Sequence, residues 1–199
     1  MKTTQRSARL RTTAIAATLV AASLAFAGCT TSRPHQEATP AAQRASINSG
    51  VESTLSRLYE TAPQSRDLVK RARGVLVFPD VLKGGFIVGA EYGRGALISG
   101  GKTQGYYSAA GGSIGFQAGA QSKAVVVLFM TDEALRRFEQ SNGWTVGADA
   151  TVAVANIGAN GSIDSNTIRQ PVVGFVMNNA GLMAGVSIDG AKISPLTIK

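Results

Sequence analysis

The spacing of apolar residues changes from helical to strand-like at Gly74. Pro40 suits the first turn of a helix, and apolar residues then recur three or four positions apart, which predicts one apolar stripe. The stripe consists of Ile47, Val51, Leu55, Leu58 and Tyr59. A second, shorter helix is predicted from Pro63 to Ala72. We expect the stripe of the first helix to cover a sheet rather than to enter a bilayer.

Beyond Gly74, short apolar runs separated by turn residues or charges predict strands. The runs are Val75–Phe78, which Pro79 and Asp80 stop, and then Phe86–Tyr92, Ile114–Gln121, Ala124–Met130 and Trp144–Ile157. A final pair predicts a hairpin, in which 172–177 returns as 182–188 through a turn at 178–181. One helix interrupts the series from Asp132 to Gln140, capped by Thr131 or Asp132 and ended by Asn142-Gly143.

Many glycines of the strand region lie four residues apart. They are Gly85, Gly89 and Gly93, then Gly111, Gly115 and Gly119, and finally Gly181 and Gly185. Residues four apart on a strand share a face, where missing side chains allow tight bending. This favours curvature over a glycine-lined ligand channel. We therefore predict an α+β fold with a strongly curved, mostly antiparallel, barrel-like β-sheet, N-terminal helices and one inserted helix.

The first 28 residues have the pattern of an export signal. Four cations, without any acid, precede the uncharged segment 12–27, which is shorter than the ~20 apolar residues of a transmembrane helix. The segment ends in Ala25-Phe26-Ala27-Gly28, directly before Cys29, the only cysteine. These residues resemble the lipobox of bacterial lipoproteins, although Phe26 replaces the usual leucine. The resemblance implies that residues 1–28 are removed and that Cys29 is diacylated.

The remaining chain divides into a tether and one domain. Residues 29–43, with Pro34 and Pro40, are interpreted as the lipidated cysteine and a flexible tether, and residues 44–199 as the domain. Thr30 stands where aspartate would favour inner-membrane retention, so we expect an outer-membrane lipoprotein that faces the periplasm. The alternative is an ordinary signal-peptidase cut, which leaves a soluble periplasmic protein with a spare thiol.

Most of the positive charge belongs to the signal. Removing it takes away four of the 20 Lys and Arg and none of the 12 acids, so the formal charge falls from +8 to +4. We therefore expect no nucleic-acid partner, and the sequence leaves protein partners open.

Four ordered blocks between Ile47 and Pro195 resemble the SYLF domain, also called the Ysc84-like domain. The blocks are residues 73–79, 85–95, 112–121 and 181–190. Their sequences are RGVLVFP, GFIVGAEYGRG, GSIGFQAGAQ and GLMAGVSIDG. The resemblance implies membrane lipid binding, because eukaryotic members bind phosphoinositides and some bind or bundle actin. Those two partners are absent from a periplasm, whereas anionic lipid headgroups are present. The family's amphipathic and basic N-terminal region corresponds here to residues 47–73.

Five cations around the second helix are the candidate headgroup site. They are Arg66, Lys70, Arg71, Arg73 and Lys83. Each cation near an anionic bilayer contributes ~1 kcal/mol to binding. The alternative is a solvated helix face, on which Asp67 and Arg71 have the spacing of an ordinary intrahelical pair. Trp144 and Tyr106-Tyr107 fit either a membrane interface or a half-buried core position.

The sequence does not indicate an enzyme or a cofactor site. The only histidine, His35, lies in the predicted tether, and lipidation would consume the Cys29 thiol. Gly101-Lys102-Thr103 resembles the end of a phosphate-binding loop, but Ala96 stands where that motif needs glycine. Glu91 and Asp149 form a carboxylate pair only if the fold brings them together.

Three functions remain after these exclusions. The favoured one is a noncatalytic, membrane-anchored lipoprotein of the bacterial envelope that binds anionic lipid headgroups. The second is a structural or protein-interaction domain whose only lipid contact is the acyl anchor. The third is a carboxylate-based hydrolase that uses Glu91 or Asp149.

Overall fold

The computed structural model describes residues 38–85, 88–114, 121–155, 163–183 and 186–199. Residues 38–199 form one compact α+β unit around a strongly curled half-barrel sheet. The helices are α1 (Pro40–Thr61), α2 (Ser65–Arg71) and α3 (Asp132–Gln140). The strands are β1 (Gly74–Gly85), β2 (Val88–Ser99), β3 (Lys102–Ile114), β4 (Gln121–Phe129), β5 (Trp144–Thr145), β6 (Ala153–Val154), β7 (Val172–Asn178), β8 (Gly181–Leu182) and β9 (Lys192–Pro195).

The described strands form one sheet in the order β5-β9-β3-β2-β1-β4-β7-β6, with β8 paired to β7. The pairings are antiparallel except for that of β6 with β7. Strands β1 to β3 follow one another, and β4 returns beside β1, which is the order of a Greek key. The predicted α+β class and the curved, mostly antiparallel sheet are therefore confirmed.

Helix α1 lies on the sheet through the predicted apolar stripe. It begins at Pro40, and the Thr39 hydroxyl caps it by accepting a hydrogen bond from the Ala42 amide at 3.2 Å. Its buried residues are Ile47, Val51, Thr54 and Leu58. The stripe thus covers the sheet, as predicted. Residues 40–43 are helical, so the helix starts inside the segment that the sequence assigned to the tether.

Strand β1 contains Pro79, although the sequence predicted that this proline ends the strand. Val77 pairs with Ala96 and Asp80 with Arg94, so the register shifts at Pro79. A proline has no N–H to donate, and a bulge is one of the places where a strand tolerates it. Because of the shift, Phe78 and Val81 pack in the same core. The bulge keeps apolar side chains on one face over the whole strand.

The glycine Gly95 allows β2 to approach this bulge closely. A Cβ atom at Gly95 would overlap the carbonyl oxygen of Val77. A Cβ atom at Gly93 would lie 2.8 Å from the carbonyl oxygen of Asp80. These contacts support the interpretation that glycine serves sheet curvature.

The Gly101-Lys102-Thr103 segment does not form a phosphate-binding loop, because it belongs to the turn between β2 and β3 and to the start of β3. Gly100 and Gly101 have φ of 58° and 75°, and Ser99 pairs with Lys102 across them. Positive φ at both central residues is the geometry of a tight two-residue hairpin. Lys102 therefore begins a strand, whereas the phosphate-binding motif requires a helix at that point.

Other predicted strands differ from the structure in extent. In the described part of the run, residues 144–155, the strands are the two-residue β5 and β6. Between them is a turn in which the Asp149 carboxylate accepts a hydrogen bond from the Thr145 amide at 2.6 Å. The return strand of the last hairpin is β8, which pairs with β7 over residues 181–182. Residues 86–87, 115–120, 156–162 and 184–185, on which parts of the predicted strands fall, lie outside the described residues.

The central strands of the sheet carry buried residues on both faces. The outer face, defined by contact with α1, includes Val77, Val126 and Phe175. The inner face includes Phe78, Val127 and Phe129, and α3 packs there through Leu135 and Phe138. Trp144 of β5 reaches Phe129 of β4 across this inner face, with ring centroids 5.9 Å apart, which places the inner face on the concave side. Of the described helices, none is long and apolar enough to cross a membrane.

Candidate functional site

Helix α2 presents three of the predicted cations on one exposed surface. Leu68 is 2% exposed, and the buried Ser65 hydroxyl donates to the carbonyl oxygen of Ala62 at 2.6 Å. Leu68 packs in the core of the outer face, and the Ser65 hydrogen bond ties the start of α2 to the end of α1. The opposite side of α2 carries Arg66, Lys70 and Arg71, all exposed. We call these three residues the α2 cation surface.

Two members of the α2 cation surface have fixed neighbours. The Arg66 guanidinium lies over the Tyr59 ring, 4.6 Å from its centroid. Burial raises the pKa of the Tyr59 hydroxyl, and the nearby Arg66 charge partly offsets that rise. Arg71 donates from Nε to the backbone carbonyl of Asp67 at 3.3 Å. Arg71 therefore bonds the backbone of Asp67 in place of the ion pair that their spacing indicated.

Arg73 lies next to this surface but shares its charge with α3. Its Nε atom is 3.5 Å from Oδ2 of Asp132, and the two side chains are 59% and 62% exposed. Exposed pairs of this kind contribute ~0 to 1 kcal/mol because water competes for both partners. Arg73 is therefore weakly held, and an anion can compete for it.

Lys83 lies far from the other four predicted cations. Arg73 precedes β1 and Lys83 is near the far end of β1, and a strand rises ~3.3 Å per residue, so about 30 Å of strand separates them. The structure therefore brings Arg66, Lys70, Arg71 and Arg73 together and leaves Lys83 apart.

Lys83 belongs instead to a group of three charges on the inner face. Lys123 Nζ is 2.7 Å from Oε2 of Glu91, and Lys83 Nζ is 4.0 Å from Oε1 of the same carboxylate. The three side chains are 17–27% exposed. We call them the Glu91 cluster. It carries two cations and one anion, and sequence reasoning did not find it.

The Glu91 cluster borders a cavity of about 240 Å³ in the inner face. Its apolar lining comes from β1, β4 and the chain around β5 and β9, and includes Phe78, Val81, Val125, Val127, Val146 and Ile188. We call this space the inner cavity. Its polar lining includes the three residues of the Glu91 cluster and Asp189.

Comparison with known proteins assigns part of this chain to a family. Residues 110–197 match the Ysc84 family model, described as "Las17-binding protein actin regulator". The chain is a SYLF-domain protein. The matched part of the SYLF domain contains Lys123 and much of the inner-cavity lining, whereas the α2 cation surface precedes it.

Relatives of this SYLF-domain protein are longer eukaryotic proteins. It is 30% identical over 129 residues to "SH3 domain-containing YSC84-like protein 1" of Xenopus laevis, a match that covers 62% of this chain and 38% of that protein. The Homo sapiens protein of the same name is 30% identical over 132 residues, covering 62% and 37%. "Protein YSC84" of Saccharomyces cerevisiae is 29% identical over 134 residues, covering 63% and 28%. The chain thus spans less than two fifths of each relative, and it is the family description that names a binding protein and regulator.

The three aromatic residues considered for a membrane interface, Trp144, Tyr106 and Tyr107, pack inside the SYLF domain. Trp144 is 3% exposed and meets the Phe138 ring edge-on at 5.5 Å. Tyr107 packs against Phe138 at 4.9 Å, and burial, followed by the Glu139 charge, raises the pKa of its hydroxyl. Tyr106 donates to Asn48 of α1 at 3.4 Å. The half-buried interpretation of these aromatic residues is correct.

The two carboxylates of the hydrolase alternative have separate partners in the SYLF domain. Glu91 is bound by Lys123, and Asp149 accepts the Thr145 amide in the turn before β6. Each carboxylate is therefore engaged by its own local structure.

Proposed function

We propose that the SYLF domain is a noncatalytic module that binds anionic lipid headgroups through Arg66, Lys70 and Arg71. In this proposal the lipidated Cys29 tethers the module to the periplasmic side of the bacterial outer membrane. The observation that carries the proposal is the α2 cation surface, three exposed cations on one short helix that is tied to α1 by Ser65 and packed in the outer-face core by Leu68.

The energetics favour a peripheral contact that works together with an anchor. Three cations at ~1 kcal/mol each contribute about 3 kcal/mol near an anionic bilayer. Stacking on Tyr59 holds the Arg66 guanidinium at the surface and reduces the entropy lost on binding. Arg73 adds to the surface when it leaves Asp132. Acyl chains on Cys29 would keep the domain at the bilayer, so that even this modest headgroup affinity is effective.

The direct test is flotation of residues 30–199 with vesicles that contain phosphatidylglycerol in phosphatidylcholine. Replacing Arg66, Lys70 and Arg71 together by Glu should reduce the vesicle-bound fraction strongly, because attraction becomes repulsion. A loss of about 3 kcal/mol corresponds to more than 100-fold in the binding constant.

The matched control reverses three exposed cations elsewhere, Lys102, Arg136 and Arg169. It changes net charge equally, so it should weaken binding far less than the α2 variant. Equal weakening by both variants would show a nonspecific charge effect and would contradict the α2 site.

The competing proposal is a protein-interaction domain whose only lipid contact is the acyl anchor. The names of the family and of its relatives, which mention Las17 binding and SH3 domains, favour protein partners. If residues 30–199 fail to float with anionic vesicles while the acylated protein floats, this second proposal is supported.

The noncatalytic part of the proposal rests on the carboxylates. Glu91 is bound to a lysine and Asp149 to a turn amide, and the description of the matching family names an actin regulator. A hydrolytic activity on lipid esters that disappears in both Glu91→Gln and Asp149→Asn would contradict it.

A further inference from the structure

The inner cavity is an apolar gap in the inner face. Protein interiors contain few voids larger than a water molecule. Here about 240 Å³ lies between Phe78, Val125, Val127 and Ile188, which are 0–7% exposed. Side chains on the outer face of the same strands pack directly beneath α1. The apolar lining is suited to an apolar occupant.

The Glu91 cluster adds a charge to this apolar space. Lys123 is fully engaged by Glu91 at 2.7 Å, whereas Lys83 lies 4.0 Å from the same carboxylate, beyond hydrogen-bond length. Lys83 is thus the less neutralised cation. The ammonium groups lie at the end of the cavity that reaches solvent, since the cluster is partly exposed.

The other acid of the lining is turned to a different partner. The Asp189 carboxylate accepts the Ser187 hydroxyl at 2.6 Å and lies beside the turn at Gly147. Asp189 is exposed, so solvent screens its charge. Close to the apolar lining of β1 and β4, the positive charge of Lys83 and Lys123 therefore dominates.

We propose that the inner cavity binds the single alkyl chain of an anionic amphiphile, with its carboxylate or phosphate headgroup between Lys83 and Lys123. The alkyl chain lies along the apolar lining, and the headgroup supplies the second anion that the Glu91 cluster lacks. Small-molecule sites usually measure ~300 to 1,000 Å³, so a cavity of about 240 Å³ suits one slender chain.

This site is separate from the α2 cation surface. It lies at the far end of β1 and on the other face of the sheet. Binding of a single amphiphile and binding to a vesicle surface can therefore succeed or fail independently.

The test measures binding of dodecanoate and of dodecyl phosphate to residues 30–199 by isothermal titration calorimetry, below micelle-forming concentrations. This segment contains the compact unit 38–199 with both of its cores. We expect one bound molecule per chain. Tighter binding of the carboxylate or of the phosphate identifies the headgroup class, and either result supports the proposal.

The decisive variant is Gly111→Leu, which fills the cavity. Gly111 lines the cavity in β3, and a Cβ atom there lies an ordinary 3.7 Å from Ala191, so a side chain fits the backbone. We expect at least a tenfold loss of affinity. The matched control is Gly84→Leu on β1, where an added Cβ meets open space outside the cavity. It should bind like the unmodified chain.

A second variant, Lys83→Met, tests the headgroup contact. The substitution should weaken the binding of dodecanoate several-fold and leave the binding of uncharged dodecanol unchanged. Circular dichroism melting confirms that each variant is folded before binding is measured.

Two outcomes overturn the proposal. One is unchanged dodecanoate and dodecyl phosphate binding in folded Gly111→Leu, and the other is the absence of binding to the unmodified chain. Flotation separates this result from the proposed function. The triple α2 variant should lose vesicle binding and retain amphiphile binding. Gly111→Leu should lose amphiphile binding and retain vesicle binding.

Discussion

The two faces of the central strands are closed in different ways. On the outer face the longest cover is α1, whose stripe of buried residues lies on β1 and β2, and Leu68 of α2, Ile163 and Ile198 complete that core. On the inner face the cover consists of separate pieces, namely α3, β5, β9 and the chain around Ile188. In β4, Val126 faces the outer side and the adjacent Val125 faces the inner side.

The difference shows how a cavity arises in a small domain. The regular stripe of α1 covers Val126 completely, although a space of about 290 Å³ lies beside the helix at Gly50, Thr54 and Ala124. Several short elements meet at joints, and side chains from neighbouring pieces do not fill every joint. The inner cavity lies where β1, β4, β9 and residues 186–191 meet.

The largest expected difference between the faces is in the response of β4 to truncation. Val126→Ala should lower the free energy of unfolding by about 2 kcal/mol, since two buried methyl groups and their packing are lost. Val125→Ala should cost about 1 kcal/mol, because Val125 already borders empty space and has fewer contacts to lose. Urea denaturation of both variants measures the two values.

Enlarging the same side chains should give the opposite ranking. Val125→Ile has room in the cavity, whereas Val126→Ile overpacks the outer face at a cost of ~1 to 3 kcal/mol. Equal costs for the two isoleucine variants would contradict the contrast between fully buried Val126 and Val125, which lines the cavity.

The helix caps give a smaller contrast. Thr131 and Thr39 accept amide hydrogen bonds of the same length, 3.2 Å, from Ala134 and Ala42. Thr131→Ala should cost ~1 kcal/mol, because the first turn of α3 leads directly to buried Leu135. Thr39→Ala should cost less, since the exposed first turn of α1 can fray without opening the core. A larger effect at Thr39 in urea denaturation would contradict this ranking.

The smallest contrast concerns the two tyrosines with raised pKa. Burial raises the pKa of both hydroxyls, but the Glu139 carboxylate adds to the rise at Tyr107, whereas the Arg66 guanidinium opposes it at Tyr59. We therefore expect Tyr107 to ionise at the higher pH. Absorbance at 295 nm during alkaline titration, with Tyr59→Phe and Tyr107→Phe to assign the signals, measures the order.

The raised pKa of both tyrosines should also make the free energy of unfolding fall at high pH. The folded chain keeps these phenolic protons when the unfolded chain loses them, near pH ~10. The stabilisation is complete below that pH and disappears as the pH rises through the higher folded pKa values. Stability that rises above pH 10 relative to the Phe variants would contradict burial as the dominant cause.

The sequence predicted the elements whose signals are local. The stripe of α1 and the Thr131 cap of α3 depend only on neighbouring residues, and both were predicted correctly. Pro79 was wrongly taken as the end of a strand, because a bulge that tolerates proline depends on the partner strand. Much of β2 and β3 was missed because glycine, serine and tyrosine replace the usual alternation of apolar and polar residues.

The candidate site was predictable to the same extent. Arg66, Lys70 and Arg71 were grouped correctly because one helix carries them. The Glu91 cluster depends on strand register, which places Lys83 directly opposite Glu91 and brings β4 alongside. A hairpin assumed around residues 86–88 would have paired Lys83 with Glu91, so a usable signal was present.

The pairing of β3 with β9 also determines when the domain is complete during folding. Ala109 pairs with Ile193, residues that are far apart in the chain, and β9 in turn carries β5. Contacts over such long sequence separations close slowly, typically in milliseconds to seconds for sheet-rich domains. Until the last strand arrives, the free edge of β3 can pair with other chains, so crowding and high concentration endanger the newly made chain more than the finished one.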